Sequence, residues 1–298
     1  MGRTFEKIKV RATFLLRGHL LNPLWQTRKK RRQIRQDAQA DMVTSYLKRC
    51  YRHYESRPAA TGGEEPERIY TLWLQGEENA PEIVKACFRS IRKQCSQELV
   101  ILDLNSLKKY VNLPETVLQK YKEGKISPAG FSDICRAELL RAHGGFWLDS
   151  TCFLCSPIPQ WIENEPFFAY SAEGVEGYEY SIIQSCFIHA RRGNELMRRW
   201  ADLFMDYWMH ESGAMDYFQF HLTLKALLEM DDECRRMFEK MPQLNQRLTH
   251  LLQLNGLDKP YDEGYFKEMT SGAFFQKLTY RSNGNSPEGS YFDVISRL

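Results

Sequence analysis

Two stretches, Phe131-Ser-Asp-Ile-Cys-Arg136 and Gly144-Gly-Phe-Trp-Leu-Asp149-Ser-Thr151, decide how this chain is to be read. The first reads as part of a helix. Ser127 can cap free N–H groups, and Pro128 fits the first helical position. Phe131, Ile134, Cys135, Leu139 and Ala142 recur at steps of three and four and form one apolar stripe. His143 followed by Gly144 is a C-terminal stop, because glycine accepts the left-handed conformation cheaply. Asp133 and Arg136 share a face one turn apart and can reach each other or a common ligand. Phe146-Trp147-Leu148 is a short apolar run, as in a buried strand, and Asp149 follows at its carboxyl end. In open α/β sheets that edge is where ligands bind.

Upstream, Ile69 to Leu74 reads as a strand ending at Gln75-Gly76, Pro81 to Gln94 as a helix, and Leu99 to Leu102 as a strand ending at Asp103. Strand, helix, strand opens a parallel α/β sheet. Three strand ends, at Gln75, Asp103 and Asp149, are expected on one edge, which suits a nucleotide pocket. Downstream, Pro166 to Tyr170 and Ile182 to Ile188 read as strands, and Gly193 to His210 and Met215 to Met230 as helices. Two further helical segments are expected over 231–240 and 242–254. Asp216, Tyr217 and His221 would share one helix face and could wall an acceptor pocket.

The net charge of +3 conceals an asymmetry: residues 1–60 hold 15 Lys/Arg against 4 Asp/Glu, and the remainder is acidic. Arg28-Lys-Lys-Arg-Arg32 is the densest block, and 56–67, with Pro58, Gly62-Gly63 and Pro66, reads as a linker. A basic helical extension over 1–60 and a globular body over 68–298 are therefore expected. Leu15, Leu16, Leu20, Leu21, Leu24 and Trp25 beside Arg and Lys favour an anionic lipid surface. No helix-turn-helix, zinc or RNA-binding motif accompanies the charge, so nucleic acid is not an expected partner. No stretch reaches the ~20 apolar residues of a spanning helix, and Ala12 to Trp25 lacks a secretory cleavage pattern. The expected place is the cytoplasm, at the inner face of the membrane. The eight cysteines form no disulfide framework, and Cys152-Phe-Leu-Cys155, inside an apolar run, reads as buried thiols.

Taken together, Trp73-Leu-Gln-Gly76, the Asp133–Arg136 helix and the Gly144–Thr151 strand resemble the capsular polysaccharide synthesis glycosyltransferases, relatives of the DXD-motif sugar transferases. The likeness runs from about Arg68 to about Asn283. It includes Phe204-x-Asp-Tyr-Trp208, Asp216-Tyr-Phe218 and Gln276-Lys-Leu-Thr-Tyr-Arg281, and it leaves residues 1–60 outside.

The resemblance implies a GT-A fold, a mostly parallel sheet flanked by helices, with a helical C-terminal part. It implies transfer of a hexose from a nucleotide-sugar to a glycan or lipid-linked acceptor, with retention of configuration. Asp133 would bind ribose or sugar hydroxyls, Arg136 would contact the donor sugar, and Trp73 would lie near the base or its neighbouring wall. Gln75, Gly76, Asp103, Trp147, Asp216, Tyr217 and Lys277 would complete the substrate site. Asp149 would hold Mn²⁺ or Mg²⁺. Where the DXD enzymes carry a second carboxylate, this chain has Thr151, whose hydroxyl would have to serve. Lys277 and Arg281 are candidate cations for the leaving diphosphate.

Each residue also has a plainer reading. Asp133 and Arg136 could be an ordinary helix ion pair worth a few tenths of a kcal/mol. Trp73 could be core, Asp103 a strand terminator, His143 a cap, and His189 and His221 structural. The rival to an enzyme is a non-catalytic sugar-binding or scaffold subunit of a polysaccharide assembly.

Overall fold

The computed structural model describes residues 2–20, 27–58, 66–175, 177, 179–281 and 286–298. Leu21, Leu24, Trp25 and the Gly62-Gly63 part of the expected linker lie outside them. The chain opens with helix α1 (Gly2–Leu15), a π-helical turn (Leu16–Leu20) and helix α2 (Arg28–Cys50). The body follows as β1 (Ile69–Leu72), α3 (Glu82–Gln94), β2 (Leu99–Leu102), α4 (Glu115–Lys122), α5 (Pro128–His143), β3 (Gly145–Leu148) and β4 (Cys152–Leu154). Then come α6 (Gln160–Asn164), β5 (Phe167–Ser171), β6 (Ile183–Ala190), α7 (Glu195–His210), α8 (Gln219–Met230) and α9 (Asp232–Lys240). The chain closes with α10 (Leu251–Asn255), α11 (Glu263–Ser271), β7 (Phe275–Lys277) and α12 (Tyr291–Arg297).

The main sheet has the order β2-β1-β3-β6-β5. β1 runs parallel to both β2 and β3, while β6 is antiparallel to β3 and β5. Four of the five strands therefore share a direction, and the expected mostly parallel α/β sheet is found. β4 and β7 form a separate antiparallel ribbon, with Cys152 opposite Lys277. Because β1, β2 and β3 are parallel, Trp73–Gly76, Asp103 and Asp149 leave the sheet at one edge.

The α5–β3 corner forms as its residues dictate. The Ser127 hydroxyl accepts from Gly130 N–H at 3.1 Å, and Pro128 opens the helix. Gly144 (φ +68°) and Gly145 (φ +86°) turn the chain into β3. A Cβ on Gly144 would stand 2.3 Å from Arg192 N, and one on Gly145 2.5 Å from Arg68 O. Only glycine allows that approach.

The expected boundary near residue 60 is not a boundary of packing. Val10, Val43, Tyr46 and Leu47 belong to the same apolar core as β1, β3, α5, α7 and α8. Two buried carboxylates reinforce the join. Asp202 on α7 accepts from the Arg57 backbone and guanidinium and from Arg141 and Arg198. Glu211 accepts from Lys7, Tyr46 and Tyr51. A second core, under α3 and α12, gathers Phe88, Phe153, Leu278 and Tyr291, with Trp73 packed against it. Among the described residues, no helix is long and apolar enough to cross a membrane. The eight cysteines are free thiols, five of them buried.

Candidate functional site

Asp149 is the centre of a charged cluster. Its backbone N–H is held by Cys186 O at 2.8 Å, which continues the β3–β6 pairing past the end of the strand. Oδ1 accepts from Arg136 Nη2 at 3.1 Å and from the Trp147 indole N–H at 2.9 Å. Oδ2 accepts from Lys277 Nζ at 3.1 Å, and the same ammonium donates to Thr151 Oγ1. Burial alone would raise the Asp149 pKa. Lys277, Arg136 and the Trp147 N–H outweigh it and hold the group at about 2. Burial disfavours the Lys277 charge, yet Asp149 keeps its pKa above the ordinary lysine value.

Arg136 is the buried link between the two sequence motifs. It donates to Ser185 O at 2.8 Å, pairs with Asp133 at 3.3 Å, and lies over the rings of Trp147 and Phe220. Burial pushes Asp133 up to about 7, with Arg136 opposing the shift and Asp149 adding to it. The carboxyl therefore changes charge near neutrality. Trp147 is only 1% exposed. Its indole N–H is spent on Asp149 Oδ1, which makes it a buried prop to that carboxylate.

His221 belongs to this cluster, contrary to the plain structural role its sequence context suggested. Burial and the nearby Arg136 charge lower its pKa to about 3, which keeps the imidazole neutral. Among the described residues, His221 Nδ1 and Arg136 Nε have no hydrogen-bond partner. The sequence placed His221 only on a helix face with Asp216 and Tyr217; its approach to Arg136 depends on another element.

Asp216 and Tyr217 do not share a helix face with His221. The Asp216 carboxylate accepts the Phe218 N–H at 2.7 Å, and the Gln219 side chain accepts the Met215 N–H. These local bonds replace the first helical turn, so α8 begins at Gln219 and not at Met215. Tyr217 is 76% exposed on that turn. Phe218 beside it meets His221 edge-on at 5.2 Å.

The other strand ends form the adjoining wall. Gly76 (φ +86°) faces Asp103, and a Cβ there would lie 3.8 Å from Asp103 Oδ2. Asp103 Oδ1 is held by the Asn105 and Ser106 N–H groups and the Ser106 hydroxyl, which lower its pKa. The Gln75 carbonyl accepts from Asn79, leaving its side chain exposed. Trp73 meets Tyr280 edge-on at 5.2 Å, and its indole N–H is without a partner among the described residues. Tyr280 lies three residues past Lys277, so this segment joins the two walls. Arg281 is exposed beside Tyr280. His143 bonds Tyr110 O at 2.7 Å, and His189 stacks on Phe146.

This donor set bears directly on the metal expected at Asp149 and Thr151. Both carboxylate oxygens and the hydroxyl are engaged, two of the three by an ammonium. Among the described residues, no three His, Cys, Asp or Glu side chains converge to hold a metal ion. The arrangement does not fit a divalent ion. It suits a ligand that takes hydrogen bonds from cations at one end and gives them from hydroxyls at the other.

A solved structure named PaToxG Glycosyltransferase is similar over 81% of this chain and 95% of its own, at 12% identity and a TM-score of 0.38. A search of the curated proteins finds no match. The family model described as capsular polysaccharide synthesis protein matches residues 22–295, which include most of the N-terminal segment that the sequence motifs left outside. By that match over nearly its whole length, the chain belongs to the capsular polysaccharide synthesis protein family.

Proposed function

We propose that this protein is a glycosyltransferase, moving a hexose from a nucleoside-diphosphate donor to a glycan or lipid-linked acceptor in cell-surface polysaccharide synthesis. The observation that carries this reading is the joining of Asp133, Arg136, Asp149 and Lys277 at the carboxyl edge of parallel strands, beside Trp73–Gly76 and Asp103. Membership of the family supports the same reading.

The reaction breaks the bond from the anomeric carbon to phosphate oxygen, and the electron pair stays on the diphosphate. An acceptor hydroxyl forms the new bond, and its proton passes to the departing phosphate oxygen. Entry from the leaving group's own face retains configuration. Charge that develops on the diphosphate is best met by fixed cations in a poorly hydrated site. The Lys277 ammonium, 3.1 Å from Asp149 Oδ2, is such a group. Asp133, when ionised, accepts from sugar or ribose hydroxyls, and Trp73 with Tyr280 offers a ring surface for a base.

A second observation bears on the acceptor. Val10, Phe14 and Gly18 face the body, while Phe5, Ile8, Leu15, Leu16 and Leu20 are exposed beside Lys9, Arg11 and Arg17. An apolar stripe with basic flanks suits an anionic bilayer surface. We place the chain there as a peripheral protein working on a lipid-linked acceptor. Phe5→Ser with Ile8→Ser is expected to cut sedimentation with phosphatidylglycerol vesicles severalfold. Unchanged sedimentation removes the membrane role.

The test of the enzyme reading is calorimetry with UDP- and GDP-sugars, followed by NMR of any sugar released or transferred. Binding of one donor, abolished by Asp133→Ala in a folded variant, is the expected result. Failure of every donor to bind the folded chain would favour the sugar-binding scaffold instead.

A further inference from the structure

The two oxygens to which the sequence assigns a metal already share a cation. Lys277 Nζ is 3.1 Å from Asp149 Oδ2 and also donates to Thr151 Oγ1. The ammonium is brought there by strand register. Lys277 sits opposite Cys152 in the β4–β7 ribbon, and Leu278 N–H bonds Thr151 O at 2.8 Å, so the backbone is clamped on both sides of the site. The other oxygen of Asp149 is held by Arg136 and Trp147.

Charge decides between an ammonium and a divalent ion here. A divalent ion at Asp149 would stand beside Arg136 and Lys277 with one carboxylate to offset three cations. The other carboxyl on Arg136, Asp133, is engaged with that guanidinium. Mg²⁺ also requires nearly octahedral oxygen ligation at short distances, whereas the oxygens here already accept from N–H donors. Lys277 needs no such cage. An ammonium has three N–H bonds. Two are used on Asp149 and Thr151, and the third remains for a ligand oxygen.

We propose that Lys277, held by Asp149 and Thr151, is the built-in cation that receives the donor's diphosphate, so that this chain binds nucleoside diphosphates without a divalent metal. The inference rests on the nucleotide-sugar reading given above. In the transfer step Lys277 keeps its proton and gives a charge-assisted hydrogen bond to the oxygen that gains the electron pair. The bond is available before and after cleavage, so no metal has to arrive with the donor.

The test is titration of the full chain with UDP and with GDP, each in EDTA and in excess Mn²⁺. One nucleotide is expected to bind in EDTA with an affinity that Mn²⁺ leaves unchanged. Lys277→Met is expected to weaken that binding about 10- to 100-fold, the loss of one charge-assisted hydrogen bond. Lys277→Ala, which frees Asp149 Oδ2 and Thr151 Oγ1, is expected to recover binding on adding Mn²⁺. A role confined to stability would not create that metal dependence. Lys277→Arg keeps the charge and controls for folding. If both uncharged variants fail to fold, Thr151→Val takes their place, with a severalfold loss in EDTA expected. Binding that appears only with Mn²⁺ in the wild type overturns the inference and leaves the enzyme reading standing, as does binding in EDTA that Lys277→Met, or Thr151→Val in its place, does not weaken. No binding of either nucleotide under any condition overturns both.

Discussion

Asp149 and Asp133 are two carboxylates on one guanidinium with opposite properties. Asp149 is ionised over the working range, because Lys277, Arg136 and Trp147 outweigh its burial. Its pKa of about 2 lies below the ordinary 3.8, so it stabilises the fold above pH 4, and that contribution is lost as the pH falls from 4 towards 2. Asp133, raised to about 7, works the other way: the native state prefers the proton, and stability is lost as the pH rises from 4 through 7. Asp133→Asn should therefore raise the melting temperature at pH 8, by a gain on the order of 3 kcal/mol that shrinks towards zero at pH 4. The same variant should lose donor binding, since the hydroxyl-accepting form is the carboxylate. Wild-type donor affinity should correspondingly fall below pH 7 and flatten above it. Melting curves at pH 4, 6 and 8 check the first expectation, and a pH series of titrations checks the second. A pH-independent gain in stability would show that Asp133 does not titrate near neutrality.

At the scale of elements, the α5–β3 corner aims the site. Gly144 and Gly145 let α5 end and β3 begin without a loop, which places Arg136 and Asp149 within hydrogen-bond reach. Gly145→Ala would add a Cβ 2.5 Å from Arg68 O at a positive φ. The expected cost is at least about 2 kcal/mol from backbone strain alone, before the clash is relieved. Urea denaturation should show an earlier midpoint with an unchanged slope; an unchanged midpoint would mean that the corner adjusts freely. The β4–β7 ribbon has a different part. It brings residue 277 to a carboxylate 128 positions earlier in the chain.

The whole molecule depends on its basic N-terminal helices. They share the core of the sheet and are tied to α7 by the buried carboxylates Asp202 and Glu211. Asp202→Ala would leave the arginines around it without their common acceptor. A loss of about 3–5 kcal/mol is expected, as for other broken buried ion pairs. Chemical denaturation measures it. Removal of residues 1–58 should abolish the cooperative thermal transition, because Val43, Tyr46, Leu47 and Tyr51 would leave a gap over the core. A truncated chain that melts cooperatively near the full-length temperature would restore the picture of a separable extension.

Much of this protein was written locally. The Ser127-Pro128 start, the apolar stripe of α5, the glycine pair and Asp149 at the tip of β3 depend on neighbours within a turn or a strand. The sequence by itself therefore determined the α/β class, the shared sheet edge and the meeting of Asp133, Arg136 and Asp149 there. It could not place what distant packing arranges. Lys277 reaches Asp149 and Thr151 only through the β4–β7 register, and His221 approaches Arg136 only through the packing of α5 against α8. The local bonds of Asp216 and Gln219 moved the start of α8, although the apolar period ran on through them. Composition separated residues 1–60 from the body by charge, yet their buried side chains joined the same core. Charge patterns report which surfaces meet water, and tertiary structure alone decides which faces meet each other.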